Sequence, residues 1–497
     1  MYLPAETICR TVYRKSVIDC MSEEYDVLAG YVLPHPPVIV PGVNRGPHEA
    51  AATEAAMRQL AGEFARIRPE TVVILSPHAP MFSDYLFMYD ATVLTGSLGR
   101  FGAGQASLSL PQDQELHQEI RRCLELAGIN GGSLSPEQMR RHQIEAELDH
   151  GVVVPLYFLA QAYSGFKLVA LSCSNLPLPQ IYQAGSLIRQ AAARLNRRIV
   201  IIASGDQSHK VNEQSPYGVS PEGAQYDAQV AASFRDGDLV RLLSIDVQVR
   251  QRSAECGYRS LVMLCGAFSR RAVRSRLVSY EAPYGIGYCV AALHSDPERP
   301  EPIDDVLELA LSRQRELNDA RRKQASPPVQ IARQTLEAYV REHQTCRAGD
   351  FSGLTGAEFL FREQAGAFVS LKKFGELRGC IGTTAPTTDS LADEIVQNAL
   401  SAGLRDPRFE PVTAGELADL VYSVDVLGTA EPIADKSELD PAKYGVIVRS
   451  GSRSGLLLPD LEGVDTVEEQ LAIACRKAGI RAGEPYQMLR FQVTRYT

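Results

Sequence analysis

The chain is short of several things, and each shortage excludes a class of protein. No uninterrupted apolar run reaches about 18 residues, so no membrane-spanning helix is expected. No basic run is long enough to track a phosphate backbone, and the net charge is -9, which argues against nucleic acid as the main partner. The ten cysteines are widely dispersed and contain no C-x-x-C pair. Reduced, buried thiols are therefore expected, not a disulfide framework. The first residues carry Glu6, Arg10, Arg14 and Lys15 among apolar neighbours and form no signal-peptide core, so a cytoplasmic protein is expected. Tryptophan is absent, and nothing follows from that. Histidine is scarce too, with nine in 497 residues, and this shortage makes their placement informative.

Length and an apolar content of 45% support two or three domains with sizeable cores. Residues 1–28 read as an N-terminal extension, and Cys9 and Cys20 within it are given no catalytic role. From 29 to 294 short apolar runs alternate with amphipathic stretches. Strands are expected near 31–34, 71–75, 167–172, 198–203 and 277–280. Helices are expected near 47–67, 112–126, 181–195, 226–236 and 258–268. This pattern predicts an α/β domain whose mixed sheet is flanked by helices. Residues 295–330 form a linker whose charged stretch reads as one solvent-facing helix, acidic at its start and basic at its end. Residues 331–497 predict a smaller α+β unit with a largely antiparallel sheet. It has a helix over 329–342, strands flanking the turn in GAFVSLKKFGELRGCIGT, a hairpin in VIVRSGSRSGLLLP, a helix over 467–478 and a last strand in MLRFQVTRY. No internal repeat relates the two halves.

Three histidines lie in tight turns: His35 in LPHPPVIVP, His78 in VVILSPHAP and His209 in IVIIASGDQSHK. The last two directly follow apolar β-type runs, and strand exits line the crevice where open α/β sheets place their chemistry. His35 and His78 are the candidate imidazole pair of a metal site. A third, anionic ligand is expected later in the chain, and Glu255 and Cys256 are adjacent choices just before a helix, where a thiolate is stabilised. Two histidines plus a carboxylate suit iron(II) and oxygen chemistry, and equally a hydrolytic zinc site. Asp206 lies three residues before His209 and is expected to orient it as a general base. His150, in LDHGVVVPLYFLA, is a candidate donor to a substrate oxygen or to a bound oxygen species. His48, His117, His142, His294 and His343 are expected at the surface.

LPHPPVIVP, LSPHAP, LDHGVVVPL and SGDQSH, in that order, resemble the class III extradiol dioxygenase fold of the subunit-B type, which the Memo proteins share. The resemblance spans roughly 29–294. It implies His35 and His78 as iron(II) ligands, His209 as acid/base, and a small aromatic substrate with dioxygen. Cys256-Gly257 and the S-x-D-x-x-H form from Ser204 to His209 are similar to the Memo arrangement, which favours Cys256 as third ligand, with Glu255 kept open. Iron(II) is the expected metal; copper and zinc are the alternatives.

In the last third, Cys380 follows Arg378 and Gly379, and an adjacent arginine would activate a thiol. Lys372 and Lys373 add positive field, and Asp406 and Arg408 sit in a proline-bounded turn. LRGCIG and DPRFEPV resemble the hallmarks of the AMMECR1 family, with similarity running through LLLPD to about 490. The resemblance implies a cleft around Arg378, Cys380 and residues 406–409, without a reaction. A Memo-like domain joined to an AMMECR1 domain resembles the AmmeMemoRadiSam system, which implies a separate radical S-adenosylmethionine enzyme as partner. The alternative reading is a non-catalytic metal-binding component.

Overall fold

A computed structural model describes residues 27–43, 48–296, 298, 303–461, 464, 466–481 and 483–497. The chain divides into two units between Ser312 and Arg313. Of the expected N-terminal extension, all but the last two positions lie outside the described residues; Val27 and Leu28 open the first strand.

The first unit is built on a six-stranded sheet: β1 (Val27–Leu33), β2 (Thr71–Ser76), β3 (Lys167–Ser172), β4 (Ile199–Ser204), β5 (Val273–Glu281) and β6 (Tyr288–Ser295). Their order is β3-β2-β4-β1-β6-β5. The first four are parallel, and β6 and β5 add antiparallel pairs. The unbroken apolar runs of β2 and β4 are buried at every position, as strands covered on both faces must be. Alternate residues feed two cores: Val72 and Ile74 face one, Val73 and Leu75 the other.

Helices α1 (Ala51–Ile67) and α2 (His150–Ala162) contribute to the first core, α3 (Leu178–Arg194) and α4 (Tyr258–Ala267) to the second. α3 and α4 touch through glycines. A Cβ at Gly185 would lie 1.8 Å from the Met263 carbonyl, and one at Gly266 1.8 Å from that of Tyr182. Neither backbone can give way, so the contact admits only glycine. This tight seam fixes where α4 begins, and with it Cys256 just upstream.

The parallel strands place the site. β2, β4 and β1 are neighbours, so the segments leaving their carboxyl ends emerge side by side. His78 is two residues beyond β2, His35 two beyond β1, and Asp206 to His209 follow β4. His117, expected at the surface, is instead buried, and its Nε2 has no partner among the described residues.

The linker helix spans Val306–Gln324. It is less purely solvent-facing than its charge run implied: Ala310 and Asn318 are buried, Asp305 accepts the Ser269 hydroxyl (2.5 Å), and Arg315 pairs with Asp419 (2.7 Å).

The second unit contains two antiparallel sheets. β7 (Ala367–Lys373), β8 (Glu376–Gly382), β9 (Leu420–Leu427) and β14 (Val493–Tyr496) run in the order β8-β7-β9-β14; β10 (Glu431–Ile433), β11 (Gly445–Ser450), β12 (Arg453–Leu457) and β13 (Gln487–Phe491) run β10-β13-β11-β12. α5 (Pro327–Glu342) and α6 (Leu391–Leu404) share the first sheet's core, and α7 (Val467–Ala478) the second's. The single last strand expected in MLRFQVTRY is two strands in different sheets. They are separated at Gln492, whose carbonyl accepts the Gly428 N–H (2.9 Å). Both halves are β-rich, so the sequence pattern carries no mark of the switch.

Candidate metal centre

His35 is the hub. It is only 2% exposed, and its two ring nitrogens face different tasks. The Ser204 hydroxyl donates to the Gly151 carbonyl (2.5 Å), so its oxygen is left to accept, and His35 Nδ1 lies 2.9 Å away. A serine has one hydroxyl proton. His35 Nδ1 must therefore carry the ring proton, and Nε2 presents its lone pair. A bracing hydrogen bond of this kind fixes the tautomer and orientation of a metal-ligating histidine.

That lone pair faces other donors. His78 Nε2 lies 3.0 Å from His35 Nε2, and the Cys256 sulfur 3.7 Å from it. His150, the first residue of α2, stacks on His78 with ring centroids 4.2 Å apart and lies 5.2 Å from the His35 ring. One ring nitrogen from each of His35, His78 and His150 lies within 4.8 Å of the others. Two nitrogens bound to one first-row ion at about 2.0–2.1 Å, at roughly a right angle, stand about 3 Å apart. The observed separation fits that spacing, and the donor set fits such an ion. Burial, reinforced by neighbouring imidazoles, holds His35 well below its ordinary range and His150 at about 4, so both stay neutral as ligation requires.

The supporting residues explain the local sequence. Asp149 accepts the Ser76 hydroxyl (2.6 Å) and that of Tyr89 (3.2 Å), tying the start of α2 to the end of β2. A Cβ at Gly151 would meet Ser76 Oγ at 2.4 Å, so a side chain here would push the Ser76 hydroxyl off Asp149. A Cβ at Gly205 would fall 2.2 Å from Gly257 Cα. This backbone-on-backbone approach brings Cys256 to the end of β4.

Three expected roles are placed differently. Asp206 does not serve His209: Oδ1 accepts the His35 backbone N–H (2.9 Å), Oδ2 lies 3.9 Å from His35 Nε2, and among the described residues no hydrogen bond joins Asp206 to His209. Burial raises Asp206 to about 7. His209 is held at about 4 by burial and then by His78, and it stacks on Tyr217, with centroids 5.4 Å apart. Glu255 accepts the Tyr258 N–H at the start of α4 (2.6 Å), whereas the adjacent Cys256 reaches His35. His150, expected only as a donor toward oxygen, joins the imidazole cluster; the signal was its place directly after Asp149 at a helix start.

Comparison with known proteins covers both units. Residues 29–291 match the family described as the catalytic LigB subunit of aromatic ring-opening dioxygenase, and residues 329–497 match AMMECR1. A protein of Clostridium acetobutylicum is 37% identical over 94% of this chain and 98% of its own length. The chain belongs to the fused LigB–AMMECR1 family. A Thermotoga maritima protein is 52% identical over 34% of this chain and 97% of its own. Among solved structures, an uncharacterized Pyrococcus horikoshii protein matches at 29% identity and a TM-score of 0.31, covering 34% of this chain and 88% of that one. An uncharacterized Escherichia coli protein matches at 15% and 0.37, covering 53% and 99%. No helix among the described residues is long and apolar enough to cross a membrane.

The AMMECR1 region gathers its expected residues on β8 and the 406–409 turn. Asp406 accepts the Cys380 N–H (2.9 Å) and two bonds from the Arg408 guanidinium, which also donates to the Cys380 carbonyl (3.1 Å). The Ser370 hydroxyl donates to the Cys380 sulfur (3.2 Å). Arg378, expected to activate Cys380, instead spends its fork on Glu416 (3.0 and 3.1 Å), which Lys373 also reaches (3.0 Å). Burial alone would push Glu416 up. The hydrogen bonds from Arg378, the Thr413 N–H and Lys373 outweigh it and hold the carboxyl at about 2. A carboxylate depressed below its unfolded value near 4.3 stabilises the fold above that pH and loses the contribution as pH falls toward 2. Glu416→Gln should therefore cost about 1 kcal/mol at pH 7, after allowing for solvent screening. Urea midpoints should show this gap shrinking at pH 3; an equal gap at both pH values would contradict the assignment.

Proposed function

We propose that the LigB-like unit binds one first-row metal ion, iron(II), on His35, His78 and His150, with Cys256 as a further donor beside His35. It would use the ion to oxidise a small catecholic or phenolic molecule with dioxygen. The observation that carries this reading is the convergence of the three imidazoles, with the His35 tautomer locked so that its lone pair faces the others. When bound, the ion supplies Lewis acidity and a one-electron couple. The chain's own residues do the rest. Ser204 orients His35 from behind, and Asp206 fixes its backbone. His209, neutral and backed by Tyr217, takes the phenolic proton. The AMMECR1 unit would bind or act on a related small molecule, and a separate radical S-adenosylmethionine enzyme would be the partner. Balanced ring opening adds both atoms of one dioxygen to one catechol, with no external reductant. The iron(II)-loaded chain should then consume one dioxygen per catechol in an oxygen electrode; no catechol-dependent uptake would refute it.

The Cys256 sulfur 3.7 Å from His35 Nε2 supports a second reading, a copper- or zinc-holding component without ring cleavage. Metal analysis showing a sulfur-ligated copper or zinc inert to catechol would favour it.

A further inference from the structure

Two large aromatic side chains remain open to solvent beside the imidazole cluster. Phe101 is 40% exposed and Tyr217 is 59% exposed. Neither is a stray surface ring. Phe101 closes the turn Gly99–Phe101 between strands Val93–Leu98 and Ala103–Pro111, and its ring centroid lies 5.2 Å from His150, tilted by 59°. Tyr217 comes from the stretch between β4 and the helix Pro221–Asp236, and stacks on His209 at 27°. The two rings thus come from unrelated elements, and each lies against a different imidazole, His150 for Phe101 and His209 for Tyr217. His150 stacks on His78, and His209 lies three residues beyond Asp206, whose carboxylate accepts the His35 backbone N–H (2.9 Å) and whose carbonyl lies 3.6 Å from the Cys256 sulfur. Each exposed ring touches an imidazole and still presents area to solvent. Aromatic pairs gain from offset or edge contacts beyond the area they bury.

We infer that Phe101 and Tyr217 are the specificity-determining residues of the metal centre, selecting flat aromatic ligands over saturated ones with the same chelating oxygens. This rests on the metal-binding, aromatic-substrate reading above. Ring contact rewards a planar ligand, whereas a saturated chelator gains only from the metal.

The test is anaerobic equilibrium binding to the iron(II)-loaded full chain. The probes are 4-nitrocatechol, followed by its visible absorption, and 2-hydroxyisobutyrate, a saturated bidentate chelator, followed by displacement. Phe101→Leu and Tyr217→Leu keep apolar bulk at exposed turns, so the fold is retained, as circular dichroism will verify. Each should weaken 4-nitrocatechol by about tenfold and leave 2-hydroxyisobutyrate unchanged. Parent-like binding of 4-nitrocatechol by both variants would overturn the inference while leaving the metal-site reading standing. Equal weakening of both probes would overturn it too, since the rings would then only support the histidines. A parent chain that binds neither probe would overturn the inference together with the reading beneath it.

Discussion

His35→Ala is expected to strip the metal from the LigB-like unit, from about one ion per chain to below about a tenth, since it removes a ligand rather than a support. Three contacts meet on that one ring: His78 at 3.0 Å, Cys256 at 3.7 Å and Ser204 at 2.9 Å. His78 and His150 alone would leave a site with two imidazoles. Ser204→Ala is the graded companion. It keeps every donor but releases the Nδ1 proton from its partner, and should weaken affinity by about 10–100-fold. Elemental analysis after dialysis checks both. Full metal occupancy in the His35 variant, with the fold intact, would remove His35 from the ligand set.

His209→Ala should lower catechol-dependent oxygen uptake by about 10²–10⁴-fold, the range of a lost general base, while metal content stays at the parent level. The reasoning is positional. His209 lies three residues beyond Asp206, which holds the His35 backbone, yet outside the three-imidazole cluster, stacked on Tyr217 and held neutral by burial. Loss of metal together with activity would make it a ligand; retained turnover would remove the base assignment. His209→Gln, which keeps a polar group but cannot shuttle a proton at neutral pH, should behave like the alanine variant.

These expectations separate what the sequence made legible from what it hid. The ends of buried strands were readable, because unbroken apolar runs such as VVILS and IVIIAS stop abruptly at proline or glycine. His35, His78 and His209 were therefore singled out on local grounds, and the structure brings them to neighbouring strand ends. His150 was harder. Its helix is apolar nearly all round and contains Pro155, so VVVPLYFLA has no amphipathic stripe to announce it. The partner of Asp206 was misread because the three-residue spacing to His209 is a local cue, whereas the actual bond crosses 171 positions to His35. Arg378 failed likewise: Gly379 and Cys380 are adjacent in sequence, but Glu416 is brought in by the fold. Contacts set by tertiary approach, such as Gly205 against Gly257, leave only a glycine behind as a trace.

The most direct measurement is an anomalous difference map from crystals of the full chain grown anaerobically with iron(II), recorded at the iron edge. The account expects a single strong peak within bonding distance of His35 Nε2, His78 Nε2 and a His150 ring nitrogen, with Glu255 still on the Tyr258 N–H. A peak at Glu255, or none near the three imidazoles while iron binds elsewhere in the chain, would contradict it.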